Sequence, residues 1–256
     1  MTTTAVRADH YGFRQVAGME WIKLRSLRST WLTLALTIAA AAGIGAAVGA
    51  NTKDVSDHPD LTNNVLGGIA PGLLLAGVLG VLCMTSEYTS GMIRASLAAA
   101  PNRRLLLSAK AAMFGAVALG AGEVSSFTAF LAGSFSWPGR ISGPSLAQPG
   151  VLRAVLMAGA AYCLIGLLGL GLGAVIRHSA AALGVLVGGV YVAGQVLAVT
   201  AHQLQAYVPI LIVGNSLSTT KRLEGTLSPW TGLGALSLYA AVALGVGGWL
   251  LVRRDA

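Results

Sequence analysis

Six runs of about 20 mostly apolar residues, at roughly 31–50, 64–84, 111–133, 151–176, 181–200 and 231–252, dominate the chain. A helix rising 1.5 Å per residue needs about that length to cross a hydrocarbon layer of ~30 Å. In lipid, only helices and closed barrels satisfy every backbone N–H and C=O internally. The sequence therefore predicts an all-α integral membrane protein, one transmembrane domain over 1–256 with six transmembrane helices. Charge usage agrees: 10% of the 256 residues are charged, against about 25% in a soluble domain.

The net charge of +8 does not point to nucleic acid. The basic residues sit between and beside the apolar runs, with no basic cluster interleaved with aromatics. In such places Lys and Arg set orientation. An even number of spans puts both termini on one side, and twelve of the 17 Lys and Arg fall on that side. The positive-inside rule then predicts a multi-pass cell-membrane protein with both termini cytoplasmic and the acidic loop NTKDVSDHPD outside. No cleavable apolar region precedes the first run, which reads as a retained signal anchor. Trp31 and Trp249 fall at the inner ends of spans, and Trp137 and Trp230 at the outer ends, as interfacial belts require.

Two shorter segments complete the layout. Residues 11–30, with Trp31 just beyond them, carry Phe13, Ala17, Trp21, Leu24 and Trp31 at helical spacing with Arg14, Lys23 and Arg25 between them. That pattern suits a helix in the inner interface, and a solvated basic arm is the alternative. Residues 205–225 hold an apolar stretch too short to span, broken by Pro209 and Gly214, which reads as a re-entrant hairpin dipping into the outer leaflet. Within the spans small residues recur four apart at Gly45/Gly49, Gly68/Gly72, Gly169/Gly173 and Gly184/Gly188, spacing that permits close helix approach.

Motifs for chemistry are absent. There is no GxxxxGK[ST] phosphate loop, no HExxH and no GxSxG, so no catalytic residue is assigned and the chain binds no nucleotide by that route. Cys83 and Cys163 lie in apolar segments, and His10, His58, His178 and His202 are scattered; neither a disulfide framework nor a metal site is indicated. The exception is Glu123, near the middle of the third span, where a charge costs several kcal/mol. It is read either as a proton, cation or substrate-path group or as a neutral acid hydrogen-bonded to neighbours such as Ser125, Ser126 or Thr128, with Arg153 a further possible partner. Phe127, Tyr162 and Tyr191 are candidate path residues, packed aromatics being the plainer reading of the tyrosines.

Between the second and third runs lies EYTSGMIRASLAAAPNRRLLLSAK, residues 87–110. Ser90 is a candidate N-cap for a short helix over 91–100, and Pro101 disfavours helix geometry at the residue before it. The segment reads as a compact helix under the bilayer with a small, neutral face suited to docking, or else as an ordinary polar connection. This stretch resembles the one that follows the second membrane helix in ABC-2 type transporter permeases, actinobacterial ones especially, and EWIKLRSLRSTW resembles their N-terminal elbow.

The resemblance implies that 87–101 is a coupling helix resting on a separate ATP-binding subunit, contacted through Glu87, Tyr88, Gly91, Met92, Ile93, Arg94, Leu97 and Pro101. Glu20, Lys23, Arg25 and Arg28 of the elbow brace that contact. It further implies a second permease copy or paralogue, ATP and Mg held by the partner ATPase and not by this chain, and export of a small amphiphilic molecule such as a drug, antibiotic, peptide or lipid. Two readings stand against it: a proton-coupled secondary transporter using Glu123, and a non-transporting membrane scaffold or immunity protein.

Overall fold

The computed structural model describes residues 12–52, 60–137, 145–200, 204–219 and 226–253, all of whose regular structure is helical. In chain order these are α1 (Phe13–Ser26), α2 (Arg28–Asn51), α3 (Leu61–Leu66), α4 (Ala70–Thr89), α5 (Met92–Ala99), α6 (Arg103–Phe135), α7 (Val151–Ile176), α8 (Ser179–Gly184), α9 (Ala193–Thr200), α10 (Pro209–Ser216) and α11 (Pro229–Arg253). A 3₁₀ turn (Gly67–Ile69) joins α3 to α4, and a π-helical stretch (Val185–Val192) joins α8 to α9. Six helical stretches are long and apolar enough to cross a membrane: α2, α3–α4, α6, α7, Ser179–Leu197 and α11. This is a multi-pass membrane protein of six candidate spans.

The spans follow the apolar runs, and the differences lie at their ends. The second continues to Thr89, so Glu87 and Tyr88 belong to its last turn and not to the short helix that follows. The expected interfacial segment 11–30 is broken at Leu27, whose extended backbone (φ −83°, ψ 93°) separates α1 from α2; Arg28 opens the first span.

α7 is the hub. It packs against α4, α6 and α11, and α2 packs on α6. The seams are lined by glycine because backbone meets backbone. A Cβ on Gly45 or Gly49 would strike the carbonyl of Ala129 or Gly133, and one on Gly80 or Gly169 would strike that of Gly166 or Gly77. The fifth span packs on α4 and α7 through Ala182 and Leu186 and is otherwise largely uncovered by this chain.

Hydrogen bonds sort the helix ends. One end gathers α1, α5, the start of α6 and the ends of α4, α7 and α11. There Arg103 Nη1 donates to Leu251 O at 2.7 Å and Arg177 Nη2 to Leu250 O at 3.0 Å, placing two cations on the carbonyl end of α11. At the opposite end Asp60 caps α3, accepting from Asn63 N at 3.0 Å. The same carboxylate accepts from the Ser218 and Thr219 hydroxyls at 2.8 and 2.9 Å and from Thr219 N, while Arg153 Nη2 donates to Ser218 O at 2.8 Å. These contacts pin the segment carrying α10, which also packs on α11 and α7. Of the expected hairpin over 205–225, residues 220–225 lie outside the described residues.

Burial raises the Asp60 pKa, but the hydrogen bonds from Asn63, Thr219 and Ser218 outweigh it and hold the carboxyl below its usual value. A depressed acid contributes stability that is complete above its unfolded value, about 3.9 for Asp, and is lost as pH falls through the folded one. Hydrogen-exchange protection factors over 204–219, with the intrinsic pH dependence divided out, are therefore expected to be flat from neutral pH down to about 5 and to fall only below about 4. Asp60→Asn is expected to lower protection across the whole range, because one carbonyl oxygen replaces two acceptors.

Candidate functional site

At the α1 end, four charged side chains form a knot, three of them buried and Lys23 half-buried. Lys110 Nζ, on the second turn of α6, donates to Glu20 Oε2 at 2.5 Å and Glu87 Oε1 at 2.7 Å. Lys23 Nζ, on α1, donates to Glu20 Oε1 at 2.7 Å, Glu87 Oε1 at 2.9 Å and Ser96 Oγ at 2.8 Å, and the Ser96 hydroxyl lies 3.4 Å from Glu87 Oε2 as its donor. Glu20 is 1% exposed, Lys110 2%, Ser96 4% and Glu87 5%. Two carboxylates face two ammonium groups, so the knot is neutral as a unit. All three Lys23 protons are used.

The local sequence explains how the four elements meet. Glu20 and Lys23 are three apart on α1, hence on one face, and Val16, Ala17 and Leu24 share the buried side. The apolar residues of the expected pattern divide: Ala17 and Leu24 are buried, while Phe13 and Trp21 point outward with Ile22, and the acid and the lysine point in. In a membrane protein the outward side meets lipid or headgroups, so apolar character does not mark the buried face.

Gly91 ends α4. Its φ of 72° is left-handed, its N–H reaches Tyr88 O at 3.3 Å, and the chain turns directly into α5. Gly91, and not Ser90, is the N-cap residue of that helix; the Ser90 hydroxyl donates to Ser86 O at 2.7 Å and accepts from Met92 N, the first residue of α5, at 3.5 Å. Ala100 leaves helical geometry before Pro101, as the proline dictates. Asn102 then caps α6 by accepting from Leu105 N at 3.2 Å.

α5 is thus a two-turn helix held at both ends, with two unlike faces. Ile93 and Ser96 are buried, Ser96 in the knot, and Leu97 packs beside Ala100 on the cluster formed by Val16, Ala17, Leu106 and Ala109. Gly91, Met92, Arg94, Ala95, Ala98, Ala99 and Pro101 are exposed. Of the residues expected to meet a partner, Met92, Arg94 and Pro101 lie on that face, while Glu87 and Ile93 point inward. Tyr88 is half-buried, with the Arg177 guanidinium 5.3 Å from its ring centroid. Arg25 and Arg28 are exposed and outside the knot. A cleft of about 320 Å³ between α1 and α4, walled by Leu24, Leu27, Cys83 and Met92, reaches Glu20 and Lys23.

Lys110 and Ser96 were not among the expected site residues. Lys110 passes in the sequence for an orientation charge at the foot of a span, and the signal for its role is that it lies about two turns inside a helix already opened by Arg103 and Arg104. Glu123 stands apart, on α6 against Gly159 of α7. The expected partners do not reach it: Ser125, Ser126 and Thr128 donate to backbone carbonyls of their own helix, and Arg153 is engaged at Ser218. Phe127 is half-buried one turn further along α6. Tyr162 is in the core beside Gly122 and Gly72, while Tyr191 belongs to the fifth span, its hydroxyl buried without a hydrogen-bond partner.

No protein-family model matches the chain, and no curated protein sequence matches it.

Proposed function

We propose that this chain is the membrane-spanning subunit of an ABC-type exporter, carrying a small amphiphilic molecule outward with energy from ATP hydrolysed on a separate nucleotide-binding subunit. The observation that carries the reading is the mounting of α5. A surface helix with an exposed neutral face and one arginine is tied through Ser96 and Glu87 into a knot that grips α1, α4 and α6. Force applied to such a helix moves two spans and the interfacial helix together, which is what a partner doing mechanical work on the bundle needs. The chain carries no phosphate-binding loop that would let it do that work alone.

In this reading α5 faces the cytoplasm, α1 is the elbow, Met92, Arg94, Ala95 and Ala98 meet the ATPase, and Glu87 is a positioning residue behind them. A second copy or a paralogue completes the permease, and α10 dips into the outer leaflet. Glu123 and Phe127 line the substrate path.

The test is co-expression with a candidate ATP-binding protein and reconstitution of the purified complex. Arg94→Glu is expected to lower substrate-stimulated ATPase activity severalfold while membrane insertion and the melting temperature stay unchanged, because Arg94 is exposed and outside the knot. Full stimulation in that variant would overturn the contact. Uptake by the chain alone in liposomes, driven by a pH gradient without ATP, would replace the reading with a proton-coupled carrier.

A further inference from the structure

Beyond Lys110, Glu123 is the only ionisable side chain of α6, about 20 Å further along the helix at 1.5 Å per residue. Its Oε2 is buried and accepts no hydrogen bond. The reason lies in its neighbours. A hydroxyl has one proton to donate, and Ser125, Ser126 and Thr128 give theirs to the carbonyls of Ala121, Glu123 and Val124, at 2.7, 3.0 and 2.7 Å.

The surroundings nevertheless make room for the carboxyl group. It lies over Gly159 of α7, where a Cβ would collide with the carboxyl carbon. Tyr162, packed against Gly122, backs the site from the core, and Phe127 stands one turn away on the same helix. Val124 beside it and Leu119 one turn before it are 49% and 42% exposed, so the stretch of α6 that carries Glu123 borders the bilayer.

A carboxylate at this depth costs several kcal/mol unless a positive partner accompanies it. This chain supplies none among the described residues, but it does supply an acceptor, seated on the glycine of α7, and an aromatic ring one turn along α6. That combination recognises an ammonium head, which forms a charge-assisted hydrogen bond to the carboxylate and packs its charge against the ring. We propose that Glu123, with Gly159 and Phe127, is the head-group site for a cationic amphiphile of the alkylammonium class, entering the α6–α7 seam from the bilayer. The inference rests on the permease reading for its purpose and names the substrate class of that path.

The test uses the purified chain in discs of zwitterionic lipid. Glu123 is labelled with dicyclohexylcarbodiimide and the modified peptide is followed by mass spectrometry. Dodecylammonium is expected to slow labelling about tenfold, the effect of one charge-assisted hydrogen bond, at concentrations where dodecanol of the same chain length does nothing. Equal protection by both compounds, or by neither, would overturn the site. Glu123→Gln keeps the shape and is expected to bind dodecylammonium about tenfold more weakly by calorimetry, with an unchanged melting temperature; unchanged affinity would overturn the site as well. Neither readout needs an ATPase. Selective binding without ATP-driven transport would sink the exporter reading alone, and ATP-driven transport without selective binding would sink this inference alone.

Discussion

Lys110→Met is expected to destabilise the solubilised chain by about 3–5 kcal/mol, the usual cost of removing one partner from a buried charge pair. For a chain of this size that is a fall of about 10 °C in melting temperature, read by fluorescence-detected size exclusion after heating. Methionine keeps the unbranched length of lysine, so the loss is one of charge and not of volume. What remains is Glu20 and Glu87, both almost fully buried, with Lys23 alone between them. Adding Glu87→Gln to Lys110→Met restores neutrality and is expected to recover most of the loss. A single variant as stable as the parent, or a double variant no better than the single, would show that the knot is not the electrostatic unit described.

The same pair of variants separates holding from signalling. Glu87 is buried, so any effect of Glu87→Gln on the ATPase of the proposed complex must pass through the groups it holds, Ser96 of α5 and Lys23 of α1 in the absence of Lys110. If the double variant is stable yet its complex is uncoupled, the knot transmits force; if it is stable and coupled, the knot only fastens α5 in place.

How much of this was legible in the sequence depended on whether the signal was local. Span positions were legible because each needs about 20 apolar residues whatever its neighbours are. The break before Pro101 was equally local, set by the conformations the residue before a proline allows, whereas the left-handed turn falls at Gly91, one residue beyond the expected cap at Ser90. The knot was not, since Glu20, Glu87, Ser96 and Lys110 come from four helices and are brought together only by packing. The inner face of α1 was not legible for a different reason: in lipid apolar character alone does not tell inside from outside, so Leu24 is buried and Trp21 exposed, with Glu20 on the buried side. The grip of Asp60 on Ser218 and Thr219 spans more than 150 residues of chain and leaves one local trace, the capping acid before α3.

The glycine pairs give the sharpest case, because one spacing has two outcomes. Gly169 lies in the seam between α7 and α4, where a Cβ would strike the Gly77 carbonyl, whereas nothing lies within 4 Å of a Cβ on Gly188. Gly169→Val is therefore expected to cost more than about 3 kcal/mol, beyond ordinary overpacking, since the obstacle is backbone and cannot rotate away. Gly188→Val, the same change in an equally apolar helix, is expected to stay within about 0.5 kcal/mol, as at other uncrowded positions. Thermal unfolding of the two purified variants decides it. Similar losses would mean that the fifth span is packed as tightly as the α4–α7 seam, against a surface this chain alone does not supply. The expected contrast would establish that four-residue glycine spacing in this protein marks a helix seam only where a facing helix carries its own small residues, as Gly77 and Gly166 do.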